Sequence, residues 1–221
     1  MIALFFATLV ESQLIISKLK DKTTYYIRKT PFIKGKIDNR EILLCISGIG
    51  KINSSIASVF AFEKFPIDKV IISGIAGAYP TSGLKIGDIA LAEKEIEADQ
   101  GLLIKCDDEE KSFIFIDHQE FPLYIPNSLK NLKKGVFLTV SACTGNLKRA
   151  YFLERKFNAI CENMEGAAIA KVAQNYGVPV TEIRSISNLV TDRNNLLKTE
   201  EVIKAAEIVQ RFILESFHLF E

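Results

Sequence analysis

The stretch Glu162-Asn-Met-Glu165-Gly-Ala-Ala-Ile-Ala170, with Arg184-Ser-Ile-Ser-Asn188-Leu-Val-Thr-Asp-Arg193 downstream, decides how this chain folds. Small residues after Glu165 suit a helix packed closely on a sheet, and the apolar spacing predicts that helix over Met164 to Tyr176. Gly177-Val-Pro179 closes it, because glycine ends a helix cheaply and proline cannot continue one. Val180 to Ile186 then reads as a strand, with Ile183 and Ile186 packed inside. A helix followed by its strand delivers Glu165 and Asn188 to one place. Each residue also has a plainer reading: Glu165 as an N-terminal cap, Ser187-Asn188 as a turn or cap. Asp192-Arg193 braces a loop, or Arg193 meets an anionic group of a ligand.

Working outward, short apolar runs alternate with helical patterns. Ile2 to Phe6 is a strand, and a helix runs from about Leu9 to Leu19. Tyr25 to Lys29 and Ile33 to Ile37 read as an antiparallel pair, and Ile42 to Ile46 as a buried strand. A helix then ends near Phe65-Pro66. Strands follow at Val70 to Ser73, Ile86 to Glu95 and Val136 to Val140, and a helix at Leu147 to Arg155 leads to Ala159 to Glu162. A long amphipathic helix closes the chain from Lys198. The segment 101–126 is the least regular and most polar. This alternation predicts an α/β fold: one domain over residues 1–221, a three-layer α/β/α arrangement whose central sheet is mixed but mostly parallel. Such sheets bind ligands beyond the carboxyl ends of their strands.

Glycines and carboxylates collect at those ends. Ser47-Gly-Ile-Gly-Lys51 and Ser73-Gly-Ile-Ala-Gly77 are tight turns after strands, where backbone amides can face a small ligand. The first has Asn53 where a dinucleotide fingerprint needs its third glycine, and it lacks Walker A spacing. No cofactor is expected. Glu11 follows the first strand at the same edge. In isolation it reads as a helix-dipole residue, but Glu162 and Glu165 reach that edge too.

Composition removes several classes of function. With 221 residues, 48% hydrophobic, 25% charged and a formal net charge of +1, the chain has no basic stripe for phosphate backbones, so no nucleic-acid partner is expected. The four cysteines and two histidines show no CxxC pair or zinc-ligand spacing, and no metal is expected. The apolar start runs into Glu11 without a positive n-region, and no apolar stretch approaches a membrane span. A cytoplasmic protein without a membrane partner is the expectation.

Taken together, Ala7-Thr-Leu-Val-Glu11, the two glycine turns, Gly87-Asp88, Glu95-Ile-Glu-Ala-Asp99, Glu162-Asn-Met-Glu165 and Ile186-Ser-Asn-Leu-Val-Thr-Asp-Arg193 resemble the nucleoside phosphorylase and nucleosidase superfamily. Within it they are most similar to the futalosine hydrolases. The resemblance covers nearly the full chain. Thr191 and Asn194 depart from the glycine and the acidic residue expected there, which touches the loop rather than the reaction. The resemblance implies hydrolysis of a purine N-ribosyl bond, releasing hypoxanthine from futalosine in menaquinone biosynthesis. It implies that Glu11 positions the attacking water and that Met164 and Glu165, within the Glu162-Asn163-Met164-Glu165 motif, hold the ribose. Ile75, Ala76 and Gly77 would line the pocket, Phe157 would stack on the base, and Asn188 would bind the imidazole side of the purine. Arg193 and Lys51 are candidates for the far carboxylate of the substrate. Relatives usually form homodimers, so a dimer is expected.

The chemistry of these residue types adds discrimination. Breaking an N-glycoside passes through an oxocarbenium-like state, which carboxylates beside the ribose stabilise. An Asp at position 188 could protonate N7 of adenine, as in the related methylthioadenosine/S-adenosylhomocysteine nucleosidases. Asn188 cannot act as an acid, but its amide can donate to N7 or to O6 of a 6-oxopurine. A phosphorolytic site needs cations on the phosphate, and the first loop offers Glu11 instead. The alternatives are an adenine-releasing nucleosidase, disfavoured by Asn188, a phosphorylase, disfavoured by the missing arginines, and a non-catalytic nucleoside-binding protein, disfavoured by the pairing of Glu11 with Glu165.

Overall fold

The computed structural model describes residues 1–104, 113–115, 120–192, 194 and 197–220. Strand β1 (Ile2–Phe6) is followed by a short helix α1 (Gln13–Lys18), strands β2 (Lys20–Ile27), β3 (Thr30–Ile37) and β4 (Arg40–Ile46), and helix α2 (Lys51–Lys64). Then come β5 (Lys69–Ala78) and β6 (Ile89–Glu97), with β7 (Gly101–Leu103) and β8 (Phe113–Phe115) forming a small sheet apart. Strand β9 (Glu120–Pro122) lies along β6. Strand β10 (Lys133–Thr139), helix α3 (Leu147–Phe157), β11 (Ala159–Asn163), helix α4 (Gly166–Asn175), β12 (Val180–Leu189) and helix α5 (Thr199–Glu215) complete the order.

The main sheet runs β11-β10-β6-β12-β5-β1-β4-β3-β2. Strand β1 lies parallel between β4 and β5, and β12 is parallel to β5. Strand β6 is antiparallel to β12, while β10 and β11 continue parallel to β6. The sheet is therefore mixed and mostly parallel, as expected. It also curls on itself: β11 returns to pair antiparallel with β5 through Cys161–Ala78 and Glu162–Gly77. That closure brings the ends of β5, β11 and β12 together, because Gly77 faces Glu162 on one side and Asn188 on the other.

Helices cover both faces, for a reason visible in β1. Successive strand residues point to opposite faces, and both sets here are apolar. Ala3 and Phe5 pack with Ala57 and Ala61 of α2 and with Ile169 and Ala173 of α4. Leu4 and Phe6 pack with Ile15 of α1 and with Val209 and Ile213 of α5. Each fully buried large side chain contributes about 1.5–3 kcal/mol relative to exposure.

Several boundaries differ from the sequence expectation, and the differences matter for the site. Residues 9–12 form a turn, with the Ser12 amide bonded to Leu9 O, so helix α1 begins only at Gln13. Helix α4 begins at Gly166, which makes Glu165 its N-cap residue. Strand β12 extends to Leu189, so Asn188 belongs to the strand and not to a turn. Among the described residues, no helix is long and apolar enough to cross a membrane, and no group of three or more acidic, His or Cys side chains could hold a metal ion.

Candidate active site

The segment after β1, the turn after β4, the end of β5, the end of β11 and the end of β12 converge on a cavity of about 280 Å3. Glu11, Ile75, Ala76, Gly77, Glu162, Asn163, Met164, Glu165 and Asn188 all line it. Nearly every residue singled out from the sequence is therefore brought to one place.

Glu11 is held by three donors. Thr8 gives its amide (3.0 Å) and its hydroxyl (2.8 Å) to Oε2, and the Ile75 amide gives 3.0 Å to Oε1. Only the turn that delays α1 allows Thr8 to reach back in this way. Burial raises the Glu11 carboxyl above its ordinary value, opposed by the charge of Arg184 and by the bonds from Thr8 and Ile75. A carboxylate fixed in position and made more basic is suited to take a proton. Gly74 makes room for it: a Cβ there would stand 2.4 Å from Glu11 Oε1, and its φ of +147° is one that L side chains rarely adopt.

Glu165 occupies the cap position of α4, yet its side chain makes no cap bond. Asn163 does the capping instead, its Oδ1 accepting from the amides of Glu165 (2.9 Å) and Gly166 (2.8 Å). The Glu165 carboxylate is thereby freed to point into the cavity. Its Oε1 accepts from the Gly50 amide at 3.0 Å, and its Oε2 lies 3.6 Å from Arg184 Nη1. The glycine turn after β4 thus uses its amide to hold a carboxylate, not a phosphate. Glu162 accepts from the Thr144 amide (2.7 Å) and the buried Tyr79 hydroxyl (3.0 Å).

Asn188 stands at a bulge, where the register of β12 against β5 shifts between Ile186 and Asn188. Such an irregularity re-aims a side chain. The Ser187 hydroxyl donates to Asn188 Oδ1 at 2.9 Å, and Asn188 Nδ2 donates to Leu189 O at 3.2 Å. The same Ser187 hydroxyl also lies 3.2 Å from Ala76 O. One Nδ2 hydrogen and one lone pair of Oδ1 remain, so this cavity-lining amide can donate to a ligand or accept from one.

A group missed from the sequence lies under the cavity floor. Arg184 is 2% exposed. Its Nε donates to Glu182 Oε1 at 2.6 Å, Nη1 to Ile75 O at 3.0 Å and Nη2 to Asn163 Oδ1 at 3.2 Å. Burial alone would weaken its hold on the proton, but the charges of Glu182 and Glu165 outweigh this and strengthen it. In sequence, Glu182 and Arg184 alternate with Thr181 and Ile183 like the solvated face of a strand. The signal that pointed elsewhere was the short spacing to Asn188.

Two expectations need amendment. Phe157 does not line the cavity; it packs against the cluster containing Leu153 and Ala159. The reason is topological: Phe157 ends α3 just before β11 begins, whereas the site stands where β11 finishes. No aromatic ring is among the described lining residues. Lys51 is already engaged, pairing with Glu97 at 2.7 Å and Asp99 at 2.5 Å. Arg193 lies outside the described residues. The described lining holds carboxylates and neither Lys nor Arg, which suits water better than phosphate.

A family model described as the phosphorylase superfamily matches residues 2–217. The chain belongs to that superfamily. Within it the chain is 33% identical over 181 residues to the futalosine hydrolase of Thermus thermophilus, covering 76% of this chain and 80% of that one. It is 31% identical over 192 residues to the aminodeoxyfutalosine nucleosidase of Helicobacter pylori, covering 82% of each. An Asp→Asn mutant of the Helicobacter pylori methylthioadenosine nucleosidase, solved with 5'-methylthioadenosine in its active site, superposes with a TM-score of 0.85 at 27% identity over 98% of this chain and 97% of that one. This superfamily member is a purine nucleosidase, an enzyme that cleaves N-glycosyl bonds.

Proposed function

We propose that this nucleosidase is a futalosine hydrolase that releases hypoxanthine and leaves dehypoxanthine futalosine, a step in menaquinone biosynthesis. The observation that carries the reading is Asn188, an uncharged amide that lines the cavity and keeps one Nδ2 hydrogen beyond its bond to Leu189 O. An amide donor matches N7 and O6 of a 6-oxopurine. Adenine can also pair with this amide, Oδ1 accepting from the 6-amino group and Nδ2 donating to N7, so the discrimination lies in the reaction: an amide has no acidic proton to give to N7 as the base departs.

In this reading Glu11 orients water towards C1' and takes its proton as the new C–O bond forms. The electron pair of the glycosidic bond passes to the base, where Asn188 stabilises the charge. Glu165 and Met164 hold the ribose, and Glu165 stabilises the positive charge that develops on the sugar. Ile75, Ala76 and Gly77 form the wall against the base, with Glu162 and Asn163 supporting it. An adenine-releasing activity is the second reading, favoured by the 31% identity to the aminodeoxyfutalosine nucleosidase. Chromatography of the products decides: purified protein and futalosine without phosphate should yield hypoxanthine. No base release, or release only with phosphate, would sink the proposal.

The same reading includes a homodimer. Ile49, Ile52, Ile56 and Val59 form an exposed apolar stripe on and just before α2, with Ile52 78% exposed. The stripe borders the cavity through Ile49. A second copy laid on it would shield both this apolar surface and the cavity mouth.

A further inference from the structure

We propose that Glu95 and Glu182 share one proton, carried by Glu95, and that the pair is a positioning device that anchors Arg184 and so aims Glu165 and Glu11 at the substrate. The inference rests on the nucleosidase reading for its kinetic consequence and on geometry for the proton itself. Both carboxyls are fully buried. On Glu95, Oε2 accepts from the Thr139 hydroxyl at 2.7 Å and Oε1 from Asn163 Nδ2. On Glu182, Oε1 accepts from Arg184, while the buried Oε2 has no donor among the heavy atoms around it. A Cβ on Gly166 would stand 2.2 Å from Glu95 Oε1 and 2.5 Å from Glu182 Oε2, so these oxygens crowd one side of a single glycine. Two carboxylates this close in a dry interior cannot both be ionised. A proton on Glu95 removes the repulsion and gives Glu182 Oε2 the partner it lacks.

The proton belongs on Glu95 and not on Glu182. Glu182 is the carboxylate that faces the guanidinium, and ionised it neutralises Arg184 across 2.6 Å. Burial and then the charge of Glu182 push Glu95 well above the ordinary carboxyl range. For Glu182 burial also raises the value, but Arg184 opposes it. The charged and titratable groups facing the pair are Arg184 on β12, Glu165 at the start of α4, and the Cys161 thiol on β11.

The link to the cavity runs through two bridges. Asn163 donates to Glu95 and caps the amides of Glu165 and Gly166. Arg184 is anchored by Glu182 and reaches Glu165 and the Ile75 carbonyl, one residue from the glycine that accommodates Glu11. With Glu182 supplying the compensating charge, Arg184 steers Glu165 and Glu11 without neutralising them. They keep the negative charge that the ribose needs.

Infrared difference spectroscopy of the intact protein, combined with pH–rate profiles, tests this. A protonated-carboxyl band is expected in the wild type at neutral pH and is lost in Glu95→Gln. E182Q, which removes the charge that balances Arg184, should lose about 100-fold in kcat, clearly more than E95Q, which keeps that charge. In E182Q the uncompensated Arg184 draws the Glu11 carboxyl down, so the acid limb of kcat/KM moves to lower pH with KM little changed. Absence of the band, its survival in E95Q, or an E95Q as inactive as E182Q overturns the proposal. Should E182Q fail to fold, the infrared result still decides it. Inactivity of the wild type towards nucleosides would remove the functional reading and leave the infrared arm standing.

Discussion

Single residues carry most of the chemistry, and their predicted effects differ in kind. Glu165 binds the Gly50 amide and faces the cavity, so Glu165→Gln keeps its shape but removes its charge. Turnover should fall by about 100-fold or more while the thermal melting point changes little. Near-normal kcat would remove Glu165 from the reaction. Glu95 gives a prediction about stability instead. Its folded-state carboxyl is raised from an ordinary 4.5, so above that pH the folded chain binds a proton that the unfolded chain has released. Stability is therefore full below the ordinary value and is lost as pH rises through the raised one. Glu95→Gln escapes that loss, and its melting point relative to the wild type should climb as pH rises above the ordinary carboxyl value and through the raised one. A constant or falling difference in calorimetry would contradict the assignment.

At the scale of elements, the site depends on irregularities rather than on regular strands and helices. The turn that delays α1 lets Thr8 hold Glu11, Asn163 relieves Glu165 of capping, and the bulge in β12 aims Asn188. The close approach inside β5 is tested by Gly74→Ala, whose added Cβ would run into the Glu11 carboxylate at a positive φ. This should cost about 1–3 kcal/mol of stability and displace Glu11, lowering kcat; an unchanged melting curve and rate would show that the strand tolerates a side chain there. The same irregularities explain what the sequence could convey. Alternating apolar runs made the layered fold and the convergence of Glu11, Glu165 and Asn188 legible, because period and spacing are local signals. The role of Asn163 as the cap, the closure of β11 onto β5, and the burial of Glu182 and Arg184 depend on which segment packs over a strand, and periodicity carries no record of that. Phe157 misled for the same reason: an aromatic near the motif in sequence lies at the far end of its strand.

At the scale of the whole molecule, an exposed apolar stripe on α2 and a cavity beside it pose the question of assembly. If a second copy covers the stripe, Ile52→Lys places a charge on a face that must be desolvated. Light scattering should then give a monomer where the wild type gives a dimer, and a monomeric wild type would end that proposal. The central claim concerns the base. It is tested most directly by the ratio of kcat/KM for a 6-oxopurine nucleoside to that for its 6-aminopurine counterpart, futalosine against aminodeoxyfutalosine, in the wild type and in Asn188→Asp. The wild type should favour the 6-oxo substrate, and Asn188→Asp should shift the ratio towards the 6-amino substrate by about tenfold or more, because an Asp can protonate N7 of the departing adenine. A wild type that prefers the 6-amino substrate, or a ratio unmoved by the substitution, would contradict the account.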